Sequence, residues 1–391
     1  MKTVLAALIS ALLFLLALGC GAAQVTPAGP EATQKSTSVA EKPAAVTAAW
    51  QKRWEDALQA ARKEEKVVLY SSLGGETNPA MARAFRDKFG IDLEFVTGSG
   101  ADISAKVLNE RRAGLYLADA FIVGAGELIP SIKTAGVLDP MEPALILPEV
   151  IDPAAWNIGR VPFLDKDRSV IAFIAGYRDY VFFNSNMVKE TEIRSYQDLL
   201  NPKWKGKMVL FDPSRSGSGS TWFSMMLMEV YDRQKGADYM RQFVKQEPVI
   251  TADGRLHVEW VARGKYPVGV AGRRESTSEF VALGAPIGWA SNMVEGGEIS
   301  PGTGCMGLAN RPAHPNGASV FVNWLLSKEG QDVFVKAFGS PSARKDASTA
   351  GLDPAMIAKP GQKVYIANED FYMAKPEMVT LAKQIFGDLL K

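Results

Sequence analysis

The sequence predicts an α/β fold made of two units, each a mainly parallel sheet with flanking helices. Three observations carry this. Between residues 65 and 130, apolar strand-like runs, small-residue loops and helical stretches alternate three times. The alternation resumes after residue 180. A chain of 391 residues, 47% hydrophobic and 22% charged, also has enough apolar side chains for two or three cores.

The N-terminus reads as an export signal. Met1-Lys2-Thr3 is a short positive start, and Val4 to Leu18 is apolar except for Ser10. That is the length of a signal core and short for a membrane span. The run ends in Ala17-Leu18-Gly19-Cys20, which resembles a lipobox, with Ala17 and Leu18 where Leu and a small residue are usual. Residues 1–19 are thus expected to be a signal peptide and Cys20 a lipidated N-terminus anchored to a membrane. Ala17-Leu18-Gly19 also suits plain secretion. Residues 20–47, rich in Ala, Thr, Pro, Lys and Ser, bury too little apolar surface to fold and are expected to be a spacer.

The folded part is expected from residue 48. Trp54, Leu58 and Ala61 fall at helical spacing. Val67-Val68-Leu69-Tyr70 is a buried strand stopped by Ser71-Ser72-Leu73-Gly74-Gly75. Ala80, Met81, Ala84, Phe85 and Phe89 trace a helix face. Ile91 to Phe95 alternates as a strand and ends at Thr97-Gly98-Ser99-Gly100. Ile103, Val107 and Leu108 mark a helix. Ala118 to Val123 is a strand closed by Gly124-Ala125-Gly126. All three small-residue loops follow strands, and ligands of parallel sheets sit at the strands' carboxyl ends.

In the second unit Tyr180 to Phe183 and Met208 to Phe211 are strands. The latter runs into Ser214-Arg215-Ser216-Gly217-Ser218-Gly219-Ser220, ahead of an apolar helix from Trp222 to Tyr231. Pro267 to Ala271 is a strand followed by Gly272-Arg273-Arg274-Glu275-Ser276. Pro286 to Ala290 leads back to the first unit.

Charge excludes several functions. Basic and acidic residues nearly cancel, 44 against 43, so no nucleic-acid footprint is present. Two Cys and two His are too few for a disulfide framework or a zinc site, and give a hydrolase no evident nucleophile–base pair. Gly302-Thr303-Gly304-Cys305-Met306-Gly307 fits G-x-G-x-x-G, but Asn310-Arg311-Pro312 interrupts the helix that motif must open. His314 precedes a Pro and reads as structural.

Three stretches carry a resemblance: Val68 to Ser72, Tyr196 to Lys207, and His314 to Gln331. Across residues 65–345 the chain is similar to the ABC-importer solute-binding proteins that include the ferric-iron binding proteins. The resemblance implies a type II periplasmic-binding-protein-like fold, with one lobe from 48–182 plus 285–391 and an inserted lobe from 183–284. Two strands would cross between the lobes, with ligand in the cleft and hinge closure upon it. It further implies a monomer that binds a small solute, serves an ABC permease, is no enzyme and needs no cofactor. The family's iron-ligand positions fall on Gly74, Gly124, Arg274 and Glu275. Two glycines and an arginine offer Fe³⁺ no oxygen ligand, so no metal site is expected.

An anion site is expected instead. A Gly/Ser loop before a helix presents free N–H groups, and Arg can grip a carboxylate or phosphate bidentately. The candidate ligand-binding residues are Ser71, Ser72, Ser99, Gly124, Ser216, Gly217, Ser218, Arg273, Arg274 and Glu275. Ferric iron carried with a synergistic anion, an exported hydrolase, and a surface receptor or adhesin remain the alternatives.

Overall fold

The computed structural model describes residues 43–215 and 217–390. The signal segment, Cys20 and Ser216 lie outside the described residues. Among those described, no helix is long and apolar enough to cross a membrane. The first helix, Pro43–Glu64, begins inside the expected spacer. Pro suits the first helical position, and the Ala-rich stretch behind it propagates a helix without needing a core.

The first lobe is built on a sheet ordered Asp92–Thr97, Lys66–Ser71, Ala120–Val123, Cys305–Ala309 and Leu138–Asp139. Its first three strands run parallel, while Cys305–Ala309 enters antiparallel beside Ala120–Val123. Helix Thr77–Phe89 presents Met81, Phe85 and Phe89 to this core, and Phe85 meets Trp324 edge to face at 5.3 Å. His314 caps the helix Pro315–Leu326. Its backbone N–H donates to Asp119 Oδ1 at 2.9 Å, and its Nδ1 lies 2.8 Å from Asp119 Oδ2. Asp119 also accepts from the Val68 N–H at 2.7 Å, so one buried carboxylate joins two strands to a helix start.

The second lobe's sheet runs Ile287–Trp289, Val181–Asn184, Val268–Val270, Met208–Phe211 and Val249–Thr251. The last three are parallel; the first two are antiparallel additions. The lobe bounds expected from sequence need correction here. Position 183 falls inside a strand of this sheet. Ile287–Trp289, expected to belong to the first lobe, pairs with Val181–Asn184. A short apolar strand fits either sheet, and only its pairing decides.

The chain crosses between lobes in a separate three-stranded sheet, Val364–Ile366, Gly297–Ser300 and Gly176–Arg178. The C-terminal helix, Glu369–Phe386, does not keep to the first lobe as expected. Phe386 packs on Phe223 with ring centroids 6.2 Å apart, and Lys375 Nζ donates to Thr221 Oγ1 at 3.1 Å. Both partners belong to the helix Ser218–Met225 of the second lobe.

Candidate functional site

A cleft of about 1000 Å³ opens where the strand-end loops of both lobes meet the crossing strands. The first lobe contributes Ser72, Ser99, Gly124 and Glu127; the second contributes Gly217, Ser218, Arg273, Arg274 and Glu275. Eight of the expected residues therefore line one space. Ser71 does not. It is buried, donates to Asn78 Oδ1 at 3.2 Å and accepts from the Leu73 N–H at 3.1 Å, so its hydroxyl braces the loop from within. Ser99 lines the cleft but uses its hydroxyl in a capping box with Asp102, accepting from the Asp102 N–H and donating to the Asp102 carboxylate at 2.6 Å.

The Gly/Ser loop enters its helix earlier than the apolar run suggests. The helix starts at Ser218 rather than Trp222. Gly217 takes φ 152°, open only to glycine at that ψ, and at Gly219 a Cβ would stand 2.3 Å from the Phe211 carbonyl oxygen. These two glycines let the helix begin against the end of strand Met208–Phe211. The first N–H groups of such a helix lack intrahelical partners. The Ser218 hydroxyl donates to the Ala271 carbonyl at 2.7 Å and ties this turn to the next strand end. Ala271 itself sits at φ 62°, a strained conformation for a residue with a Cβ, and the chain then swings Arg273 and Arg274 into the cleft wall.

The adjacent arginines serve different ends. Arg274 Nη2 donates to Asp179 Oδ2 at 2.5 Å and to Ser291 Oγ at 2.9 Å, and its guanidinium lies over Trp289 at 4.7 Å. Asp179 is almost wholly buried, and burial lifts its carboxyl above the usual range although Arg274 pulls the other way. Arg273 is half exposed, with Glu275 as its nearest carboxylate at 3.9 Å.

Two further cations in the cleft carry no sequence signature. Arg178, on crossing strand Gly176–Arg178, lines the cleft, lies 3.5 Å from Glu275 and pairs across the strands with Glu298. Lys375, on the C-terminal helix, lines it too. Burial lowers the Lys375 ammonium, against the pull of Glu298 and Glu127. Burial also raises the Glu127 carboxyl, with Lys375 opposing. The Tyr372 phenol, another wall residue, is held well above its ordinary range by burial and stays protonated. Neither Arg178 nor Lys375 belongs to a motif; only the fold brings them here.

A second cavity, about 670 Å³, lies on the far side of strand Gly297–Ser300, where Ile299 points away from the cleft. Its walls include Phe163, Leu164, Val364 and Ile366. Its Arg344 is already committed to Asp346 at 2.8 Å and to the carbonyls of Glu149 and Leu326. In the interlobe cleft, by contrast, Arg178, Arg273 and Lys375 converge from three different elements.

A family model described as bacterial extracellular solute-binding protein matches residues 80–363. The chain belongs to that family. Its fold is that of type II periplasmic binding proteins. It is similar to Mannheimia haemolytica ferric iron-binding protein A in an open conformation, with TM-score 0.66 and 15% identity over 83% of this chain and 99% of that one. A Trichodesmium protein (IdiA, FutA) in complex with iron and citrate gives TM-score 0.64 and 21% identity, over 82% and 99% of the two chains. AfuA from Actinobacillus pleuropneumoniae, with fructose-6-phosphate bound, gives 0.57 and 22%, over 83% and 98%. At these identities the likeness is one of fold. As a family member the protein is a solute-binding component of an importer, acting outside the cytoplasm.

Proposed function

We propose that this protein captures a small anionic solute, bearing a carboxylate, phosphonate or phosphate, in the interlobe cleft and delivers it to an ABC permease. One observation carries the reading: Arg178, Arg273 and Lys375 reach the same cavity as the N-terminus of helix Ser218–Met225. Guanidinium pairs grip planar or tetrahedral oxyanions, and a helix N-terminus adds N–H donors and a positive dipole end. The volume suits a metabolite better than a bare ion. A ferric chelate would use the same cations through its carboxylates, with iron as cargo inside an anion.

The test is native mass spectrometry of the purified protein for a co-purifying solute, followed by calorimetry. Candidate solutes are citrate, fructose-6-phosphate, ferric citrate and Fe³⁺ alone. Arg178→Ala and Arg273→Ala should each weaken binding of the preferred anion about tenfold or more, the loss of one charge-assisted hydrogen bond. Tight binding of Fe³⁺ without any anion, or anion binding indifferent to both substitutions, refutes the proposal.

A further inference from the structure

Two residues at the end of one crossing strand face two at the start of a second-lobe helix with charges exchanged: Arg178 and Asp179 against Arg274 and Glu275. The two ion pairs differ in kind. Asp179 and Arg274 meet at 2.5 Å, with the carboxylate side chain 1% exposed and the guanidinium also held by Ser291. That pair is short and largely withdrawn from solvent. Arg178 and Glu275 stand 3.5 Å apart, and the other oxygen of Glu275 is 3.9 Å from Arg273 Nε. Charge-assisted N–H···O contacts close to about 2.7–2.9 Å when satisfied. One carboxylate is thus held loosely between two guanidiniums, and all three side chains line the cleft. The neighbouring acid, Glu298, accepts from the Tyr180 hydroxyl and acts on Arg178 through its charge, while Glu275 is the carboxylate within ion-pair distance of it.

We propose that Glu275 is a built-in placeholder for the solute's anionic group: on binding, the anion takes Arg178 and Arg273 and displaces Glu275. This rests on the anion reading of the cleft. Glu275 keeps two cations neutralised in the empty cleft without binding them tightly, so an arriving oxyanion must outbid a carboxylate already present. Weakly basic or uncharged solutes would be rejected, and Glu275 would set the threshold. Asp179–Arg274 beside it stays closed and keeps strand and helix in register during the exchange.

The placeholder predicts a gain from removing a binding-site charge. Glu275→Gln keeps the shape and abolishes the competition. Calorimetry with citrate, fructose-6-phosphate and inorganic phosphate should show at least one of them binding about two- to fivefold more tightly than to the unaltered protein, the range of a partly exposed ion pair. The gain should disappear when the substitution is made in the double variant Arg178→Ala/Arg273→Ala, since both competed cations are then absent. Thermal melting of each variant checks that the fold persists, and a Glu275→Ala variant repeats the test if Gln disturbs it. Equal or weaker binding by both variants overturns the placeholder while leaving anion capture standing, provided Arg178→Ala still weakens binding. A gain that persists in the Arg178→Ala/Arg273→Ala double variant also overturns it. If neither unaltered protein nor Glu275→Gln binds any of these anions up to about 10 mM, weaker than any solute receptor needs, the anion reading fails and the placeholder with it.

Discussion

Glu127 shows how one side chain's surroundings set its chemistry. It follows the strand Ala120–Val123 and lies against two glycines, where a Cβ at Gly100 would come within 3.0 Å of its carboxyl carbon. Removal from water lifts its titration above the usual carboxylate range, and Lys375 only partly restores it. A neutral carboxyl does not repel an incoming anion; an ionised one does. Anion binding should therefore be tightest at acid pH and weaken as pH rises through the raised range of Glu127. The sign follows from linkage: the complex holds the Glu127 proton more strongly than the empty cleft does, so binding takes up protons. Calorimetry from about pH 5 to pH 8, with a solute whose own charge is constant there, should show this decline, and Glu127→Gln should flatten it. A slope unchanged in Glu127→Gln removes Glu127 as its source. At the same scale, the sequence reading found the Arg273-Arg274-Glu275 cluster because three charges directly follow a strand. It missed Arg178 and Lys375 because each is a single cation whose meaning depends on distant partners: Glu298 across the crossing strands and Thr221 on the facing helix.

At the scale of elements, the strands legible in the sequence were apolar runs closed by small residues, such as Lys66–Ser71 and Met208–Phe211. The crossing strands were not legible. Gly176–Arg178 and Val364–Ile366 have three residues each, too few for a period of two to appear. The C-terminal helix is fastened at its start by a charge cluster equally invisible in sequence. Lys133, ending the turn Leu128–Lys133, places its ammonium 2.9 Å from Asp165, 2.9 Å from Asp167 and 2.5 Å from Glu369. Burial pushes the Asp165 carboxyl up, but the Ser169 hydroxyl, Lys133 and the N–H groups of Val170 and Ser169 outweigh it and hold it below its ordinary value. A depressed folded value means that this contribution to stability is present above the unfolded carboxylate value near 4. It is lost as pH falls through the folded one. Lys133→Met leaves a buried carboxylate without its cation and should cost about 3 kcal/mol at neutral pH. Urea unfolding should show this gap narrowing toward about pH 3, as Asp165 takes a proton in either protein. A gap independent of pH contradicts the assignment.

For the whole molecule, the two lobes are joined by two crossing strands and spanned by one helix, and this limits how the cleft can close. Rotation about Gly176–Arg178 and Gly297–Ser300 would bring the loops at Ser72, Ser99 and Gly124 toward those at Gly217 and Arg273. Helix Glu369–Phe386 resists free swinging. Phe386 is packed on Phe223, Lys375 holds Thr221 and Arg233 is paired with Glu377, while the same helix is bonded to the first lobe through Glu369 and Lys133. The helix packs more widely on the second lobe, at helices Ser218–Met225 and Arg233–Val244, than on the first, where it meets the segments Ala125–Glu127 and Leu128–Lys133 and is tied at its start by Glu369. The helix should therefore travel with the second lobe and pivot near Glu369. Closure is then a modest rotation in which Lys375 and the helix N-terminus at Ser218 approach the solute together. Small-angle scattering should register a smaller radius of gyration at saturating anion, as hinge closure around a ligand requires. Spin labels at exposed Met187 in the second lobe and exposed Leu115 in the first, each replaced by Cys, should report a shortened separation. A label at exposed Met373 on the helix should keep its distance to the label at Met187. Identical scattering curves and distances with calorimetrically confirmed binding would show a cleft that fills without closing. Capture would then depend on the exchange of charges at its floor alone.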